Sequence, residues 1–266
     1  MRLISIFPLW VIVILLLGSC LFCSWLLVSF VRRHKIYPVL KENNEFVGFT
    51  YAVYGLIYGV VLAFTIVTAW GNFSEAEHIV MNETTVLSEL WRDANAFKPN
   101  IYLEIHNDLI SYVNSVIELE WHEMAMYGRP HNETRAIYED LWRNSYTIQP
   151  ETKNQEAFLA EYLDRINELS ATRRLRLLYS RSEINSVLWL VLLIGAFPTV
   201  TYSLLFFARH GWVQVTITAF LSGLVGLCLL VALSLQYPFS GRVSIDTESF
   251  KQLKQSFEQR AAEEIR

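Results

Sequence analysis

Four charge-free apolar blocks limit what this chain can become more than any other feature. They cover residues 9–31, 47–70, 187–208 and 213–235. Each reaches the roughly 20 residues that an α-helix needs to cross a hydrocarbon core of about 30 Å. Within that layer the backbone finds no water to bond, so a span satisfies its own N–H and C=O groups as a helix. The expected class is an all-α, polytopic membrane protein with four transmembrane helices in a two-plus-two layout. The expected division is a transmembrane hairpin at 1–70, a helical extramembrane domain at 71–186, a second hairpin at 187–241 and a polar tail at 242–266.

The second block carries a pattern that runs past its apolar end. Stepping alternately four and three residues from Gly48 gives Ala52, Gly55, Gly59, Leu62, Ile66, Ala69, Phe73, Ala76, Val80, Glu83, Leu87, Leu90 and Ala94. This is a heptad seam with one polar member, Glu83, and such a seam marks a helix packed along its length. No proline occurs from Val47 until Pro99, so nothing forces a break before that point. At about 1.5 Å per residue the helix is roughly 70 Å long, more than twice the membrane core. Further helices are expected at 101–126, 133–146 and 154–179, and from Glu248 onward. The 154–179 helix leads back to the third block and is expected to lie against 73–94. Its end is rich in arginine: Arg173, Arg174, Arg176 and, just beyond, Arg181.

Charge and motif content exclude several functions. Region 71–185 has 19 acidic and 11 basic side chains, a net of −8, which repels phosphate and argues against a nucleic-acid partner. No span holds Asp, Glu, Lys, Arg or His in its interior, which disfavours proton-driven carriers, rotors and voltage sensors but leaves a pore open. No phosphate loop, dinucleotide glycine pattern, zinc-protease helix or nucleophile elbow is present, so neither an enzyme nor a cofactor is expected. Cys20, Cys23 and Cys228 all lie in spans and read as small apolar residues rather than a redox or metal pair. Glu118, Glu120, His122 and Glu123, with His106, are metal-ligating types. Consecutive helical residues point apart, however, so a solvated helix face is expected and no metal.

Beside the seam runs a second stripe of the same spacing: Tyr51, Tyr54, Tyr58, Val61, Thr65, Thr68, Asn72 and Glu75. It is the most polar line on any span. Around an axis shared by several copies it would line a conduit, with Asn72 and Glu75 at the mouth. Gly48, Ala52, Gly55 and Gly59 would let neighbours pack closely. The competing reading is that the stripe packs against other helices. Glu83 is expected either to pair with Arg173 or Arg174 as a buried ion pair or to stay partly solvated.

Several motifs, by their order and spacing, resemble the bestrophin-like domain family of bacterial and plant membrane proteins. They are Gly48-Phe49, Ala63-Phe64, Trp70, Ser74, Ala76, Glu83, Leu87, Leu90, Glu120-Trp121 and Pro238-Phe239-Ser240-Gly241, and the resemblance covers 47–257. It implies kinship with bestrophins, pentameric calcium-gated anion channels with four spans and a helical domain between spans two and three. The chain departs from them in lacking a recognisable calcium-binding acidic loop and the aromatic-rich neck. Glu75 and Glu77 would sooner favour cations. Bestrophins hold the central domain in the cytosol, whereas the basic connector at 30–46 favours the cytoplasmic side for itself and the outside for that domain. The arginines at 173–181 argue the other way. The expected function is a homo-oligomeric ion channel, a pentamer if it follows bestrophins, in a bacterial inner membrane, with the lipid bilayer and inorganic ions as partners. The alternative is a non-conducting scaffold or sensor whose polar domain binds a partner or ligand.

Overall fold

The computed structural model describes residues 8–33, 37–182, 184–241 and 243–264; His34 and Lys35 of the basic connector lie outside them. The helices in chain order are α1 (Leu9–Arg33), α2 (Tyr37–Glu42), α3 (Asn44–Ala94), α4 (Pro99–Ser115), α5 (Trp121–Tyr127), α6 (Asn132–Ser145), α7 (Lys153–Tyr179), α8 (Ser186–Tyr202), α9 (Gly211–Leu235) and α10 (Glu248–Glu264). One π-helical turn, Val116–Glu120, joins α4 to α5, and a 3₁₀ turn, Ser203–Leu205, follows α8. Among the described residues there is no strand. Among the described residues four helices are long and apolar enough to cross a membrane: Trp10–Arg33, Asn44–Ala94, Ser186–Leu205 and Gly211–Leu235. The second is continuous over 51 residues, about 75 Å, as the absence of proline predicts.

The third span ends three residues before the apolar block does. Phe206 is extended (φ −71°, ψ 131°). The carbonyls of Leu204 and Phe206, freed where the helix stops, accept bonds from the Gln214 side-chain amide at 3.1 and 2.9 Å. Arg32, in the last turn of α1, donates to the carbonyl of Ala208 at 3.0 Å and of Arg209 at 3.3 Å. Buried carbonyls at a helix end need such donors.

The chain forms two compact units, with α3 running through both. The first holds α1, α2, α3 as far as Gly71, α8 and α9. Small residues set its closest approach. A Cβ at Gly223 would lie 3.0 Å from Leu17, and one at Gly226 would lie 3.0 Å from Leu16, so α1 and α9 meet where α9 has no side chain. The α3–α8–α9 core consists of Tyr58, Leu62, Leu192 and Val225. A Cβ at Gly195 would fall 2.6 Å from a ring carbon of Tyr58, so only glycine fits there.

The second unit holds α3 from Asn72, α4 to α7 and α10. Ala76, Val80, Leu87, Leu90 and Ala94 of α3 pack with Leu109, Tyr112 and Val113 of α4 and with Ile166 and Leu169 of α7. Gly128 closes α5 in the left-handed conformation (φ 62°) that glycine adopts most readily. The Thr152 hydroxyl caps α7 by accepting from the backbone N–H of Gln155 at 3.2 Å. In the polar tail α10 runs from Glu248 to Glu264, where a helix was expected, and its Phe250, Leu253 and Phe257 belong to this core. Trp91 is sandwiched there, with His106 at 3.6 Å and Phe257 at 4.3 Å between ring centroids.

Candidate functional site

The seam and the polar stripe of α3 exchange roles along the helix. From Ala76 to Ala94 the seam is the buried face: Ala76, Val80, Glu83, Leu87, Leu90 and Ala94 are all buried. Nearer the N-terminus Ala52 and Gly59 are exposed, and Val47, Tyr58, Leu62, Thr65 and Ala69 are the buried positions. A heptad step assumes 3.5 residues per turn, whereas an α-helix makes 3.6. A strict seam therefore drifts by about 20° per heptad. Over the four heptads from Ala76 back to Gly48 the drift is about 80°, which carries the seam off the buried face and brings the tyrosine stripe onto it.

Most of the stripe accordingly seats α3 on its own chain. Tyr51 and Tyr54 both stack on Tyr202, at 6.1 and 6.2 Å, and Tyr51 also meets Phe206 edge-on at 5.5 Å. The Tyr54 hydroxyl donates to the Gly195 carbonyl at 3.4 Å. Tyr58 is buried, its hydroxyl without a hydrogen-bond partner among the described residues. Thr65 is buried and returns its proton to the Val61 carbonyl at 2.9 Å. Thr68 and Glu75 are exposed, and Asn72 is half-buried. The face opposite the stripe carries Phe49, Val53, Leu56, Val60 and Val67, all exposed. On its flank a Cβ at Gly55 or Gly59 would meet nothing within 4 Å. Thus α3 leaves an apolar face and a small-residue edge uncovered in the single chain.

In the second unit Glu83 is fully buried, and its partner is Arg176 rather than Arg173 or Arg174. Arg176 Nε donates to Glu83 Oε2 at 2.6 Å, and Nη2 donates to Glu83 Oε1 at 3.1 Å. The same Nη2 donates to Glu120 Oε1 at 2.9 Å, and Arg173 Nη2 donates to Glu120 Oε2 at 2.6 Å. Tyr112 adds a neutral donor, its hydroxyl 2.7 Å from Glu83 Oε1. Two carboxylates and two guanidiniums alternate, and their charges cancel. Such pairing offsets the cost of taking four ions out of water. The Arg176 guanidinium lies 5.9 Å from the Trp121 ring and 5.7 Å from the Phe250 ring. Arg174, next along α7, is exposed, because the helix turns it away from α3.

Electrostatics fix the protonation states. Burial by itself would drive the proton off Arg176, but Glu83 and Glu120 outweigh it and hold the guanidinium well above its ordinary value. Burial, reinforced by Glu83, pushes the Tyr112 phenol well above its ordinary value, so it stays a donor. Glu120 corrects the expectation of a solvated helix face. The π-turn bonds the Trp121 N–H to the Val116 carbonyl five residues back, one more than an α-turn. Glu120, four residues after Val116, falls on the buried face while Glu118 stays exposed, and the extra residue of the π-turn brings Trp121 onto that face as well. Of the other ligand-type residues, His106 is buried against Trp91, its Nε2 3.0 Å from the Trp91 carbonyl, and His122 is exposed.

A four-span helical membrane protein with a helical insertion between spans two and three is the class this architecture defines. The model of the bestrophin-like domain matches residues 14–250, and the chain belongs to that family. No curated protein matches. Solved structures share the fold. A bacterial bestrophin homologue from Klebsiella pneumoniae aligns with TM-score 0.63 at 14% identity, covering 91% of this chain and 95% of that one. Two point variants of the Klebsiella homologue align with TM-scores 0.69 and 0.67 at 12% and 15% identity, covering 91% and 92% of this chain and 98% of each of theirs.

Proposed function

We propose that this chain is the subunit of a homo-oligomeric ion channel, pentameric by analogy with bestrophins, in which α3 lines the conduit with the face it leaves uncovered. The observation that carries the reading is that face: Phe49, Val53, Leu56, Val60 and Val67 are exposed on a helix whose opposite side is packed. The adjacent edge at Gly55 and Gly59 has room for a neighbouring copy. Kinship with bestrophins supports the same arrangement. In this reading Tyr51, Tyr54, Tyr58 and Thr65 hold the helix in place. Thr68 and Glu75 are the exposed polar groups of α3 that a passing ion meets. A conduit of apolar side chains gates by excluding water, so widening or wetting it opens it. The alternative, a scaffold or ligand sensor, draws on the buried ion network of the second unit.

The purified chain, reconstituted in planar bilayers under asymmetric KCl, is expected to give unitary currents. Val60→Thr should raise conductance or open probability, because it adds a hydroxyl to an apolar constriction. Tyr58→Phe should leave the currents unchanged. The reversal potential assigns cation or anion preference. Well-folded oligomer that stays silent as wild type and as Val60→Thr would overturn the channel reading in favour of the sensor.

A further inference from the structure

A cavity of about 610 Å³ opens between α6 and α7, within the second unit. Its charge is opposite to that of the region around it. Arg173, Arg174 and Arg181 line it, and no carboxylate does among the described residues, although region 71–185 is acidic overall. The three arginines differ in what they have left to give. Arg181 spends its Nε on the Gly128 carbonyl. Arg174 has no hydrogen bond or ion pair among the described residues. Arg173, 8% exposed, spends Nη2 on Glu120, while its Nε is buried with no partner. A buried N–H of a charged group left without an acceptor is costly, which points to a ligand that supplies one.

The remaining walls narrow the ligand. The Tyr138 hydroxyl and Ser170 are bonded to each other, and the Trp142 indole donates to both, at 2.7 and 3.1 Å, so this polar wall is already satisfied. Leu177 and Leu178, with Pro130 and Ala171, add an apolar wall, and Asn167 spends an amide N–H on the Leu163 carbonyl at 3.0 Å. The volume is that of a site for a small organic molecule.

We propose that this cavity binds an organic anion. A carboxylate or phosphate group is held by Arg174 and by the Nε–H of Arg173, and an apolar part lies along Leu177 and Leu178. The anion completes an alternation of charge: Glu83, Arg176, Glu120, Arg173, ligand. Glu83 belongs to α3, so the occupied site bears on the helix assigned to the conduit. Two sources share this chemistry, a soluble organic anion and the headgroup of an anionic lipid.

Isothermal titration of the full chain in detergent with phenyl phosphate tests the site without any measurement of current. Phenyl phosphate is expected to bind at about millimolar or tighter, and inorganic phosphate more weakly because it leaves the apolar wall empty. Arg174→Gln should weaken binding about tenfold or more. Ala171→Phe, which fills the cavity and leaves the charges, should abolish it. Both positions are exposed, so both variants should melt like wild type without ligand. Absence of binding at about 10 mM phenyl phosphate, or unchanged affinity in both variants, overturns the proposal. In lipid nanodiscs, competition by phosphatidylglycerol but not phosphatidylcholine assigns the site to a lipid headgroup. Equal affinity in both assigns it to a soluble anion.

Discussion

Glu83→Gln keeps the shape of the side chain and removes one negative charge from a buried set whose charges cancel. Arg176 then retains Glu120 through Nη2 but loses the charge-assisted pair made by Nε at 2.6 Å and Nη2 at 3.1 Å. Removing one partner of a buried ion pair costs about 3–5 kcal/mol, because the other stays charged and dry. The Gln oxygen still accepts from Tyr112 or Arg176, which places the expected cost near the lower end, about 3 kcal/mol. In a unit of this size that lowers Tm by roughly 10 °C. Arg176→Met alone leaves two carboxylates facing one arginine and should cost at least as much. Glu83→Gln with Arg176→Met leaves only the neutral Glu120–Arg173 pair, so the double variant should beat the sum of the singles by about 2 kcal/mol. Tryptophan fluorescence of the solubilised protein during thermal and denaturant unfolding reports on the cluster, since Trp121 adjoins Arg176. A Glu83→Gln protein melting within about 2 °C of wild type, or strict additivity of the two changes, would refute the reasoning.

Gly195→Ala drives a methyl group into the pinned ring of Tyr58, with the nearest ring carbon 2.6 Å away, and should cost about 1–3 kcal/mol; a melting temperature equal to wild type would show that the ring yields freely. Asp108 tests pH dependence. Burial raises its carboxyl above the ordinary 3.8, partly countered by the hydrogen bond from Asn144, so the folded chain holds this proton more tightly than the unfolded chain. Its contribution to stability therefore falls as pH rises from the ordinary value through the folded one. Asp108→Asn should be at least as stable as wild type at neutral pH, with the difference closing in acid; superimposable pH–Tm curves would count against it. The Val60→Thr and Tyr58→Phe currents and the phenyl phosphate titration test the conduit and the cavity.

The four spans and the unbroken α3 were legible because long charge-free runs and a missing proline are local signals. Which side of α3 is buried was not, because a heptad count accumulates a small angular error at every step, and by Gly48 the error of about 80° exceeds half the width of the face. Arg176 could have been found. Stepping along α7 through Tyr162, Ile166, Leu169 and Arg173 arrives at Arg176, an arginine on an apolar line facing a glutamate on another. The α10 helix was legible too, starting at Glu248 as expected, and Phe250, Leu253 and Phe257 at helical spacing mark the face it buries. Glu120 carried the same kind of signal, four residues after Val116 and seven after Val113, whereas the π-turn that brings Trp121 beside it leaves nothing in a count based on 3.6 residues per turn.

That turn divides the run from Pro99 to Tyr127 into two stretches that obey different phase, one residue out of step. Upstream of it, Leu109, Tyr112 and Val113 look into the core. Downstream, Trp121 and Met124 do so because the π-turn takes up the extra residue. The segment 116–120 therefore tolerates the loss of one residue. Deleting Ile117 or Glu118 turns the π-turn into an α-turn that leaves Trp121 four and Met124 seven residues after Val116, the spacing of a single helix face, so both go on facing the core. A residue added in the neighbouring α-turns meets no such slack and rotates everything beyond it by about 100°, so this run is held in length on one side only.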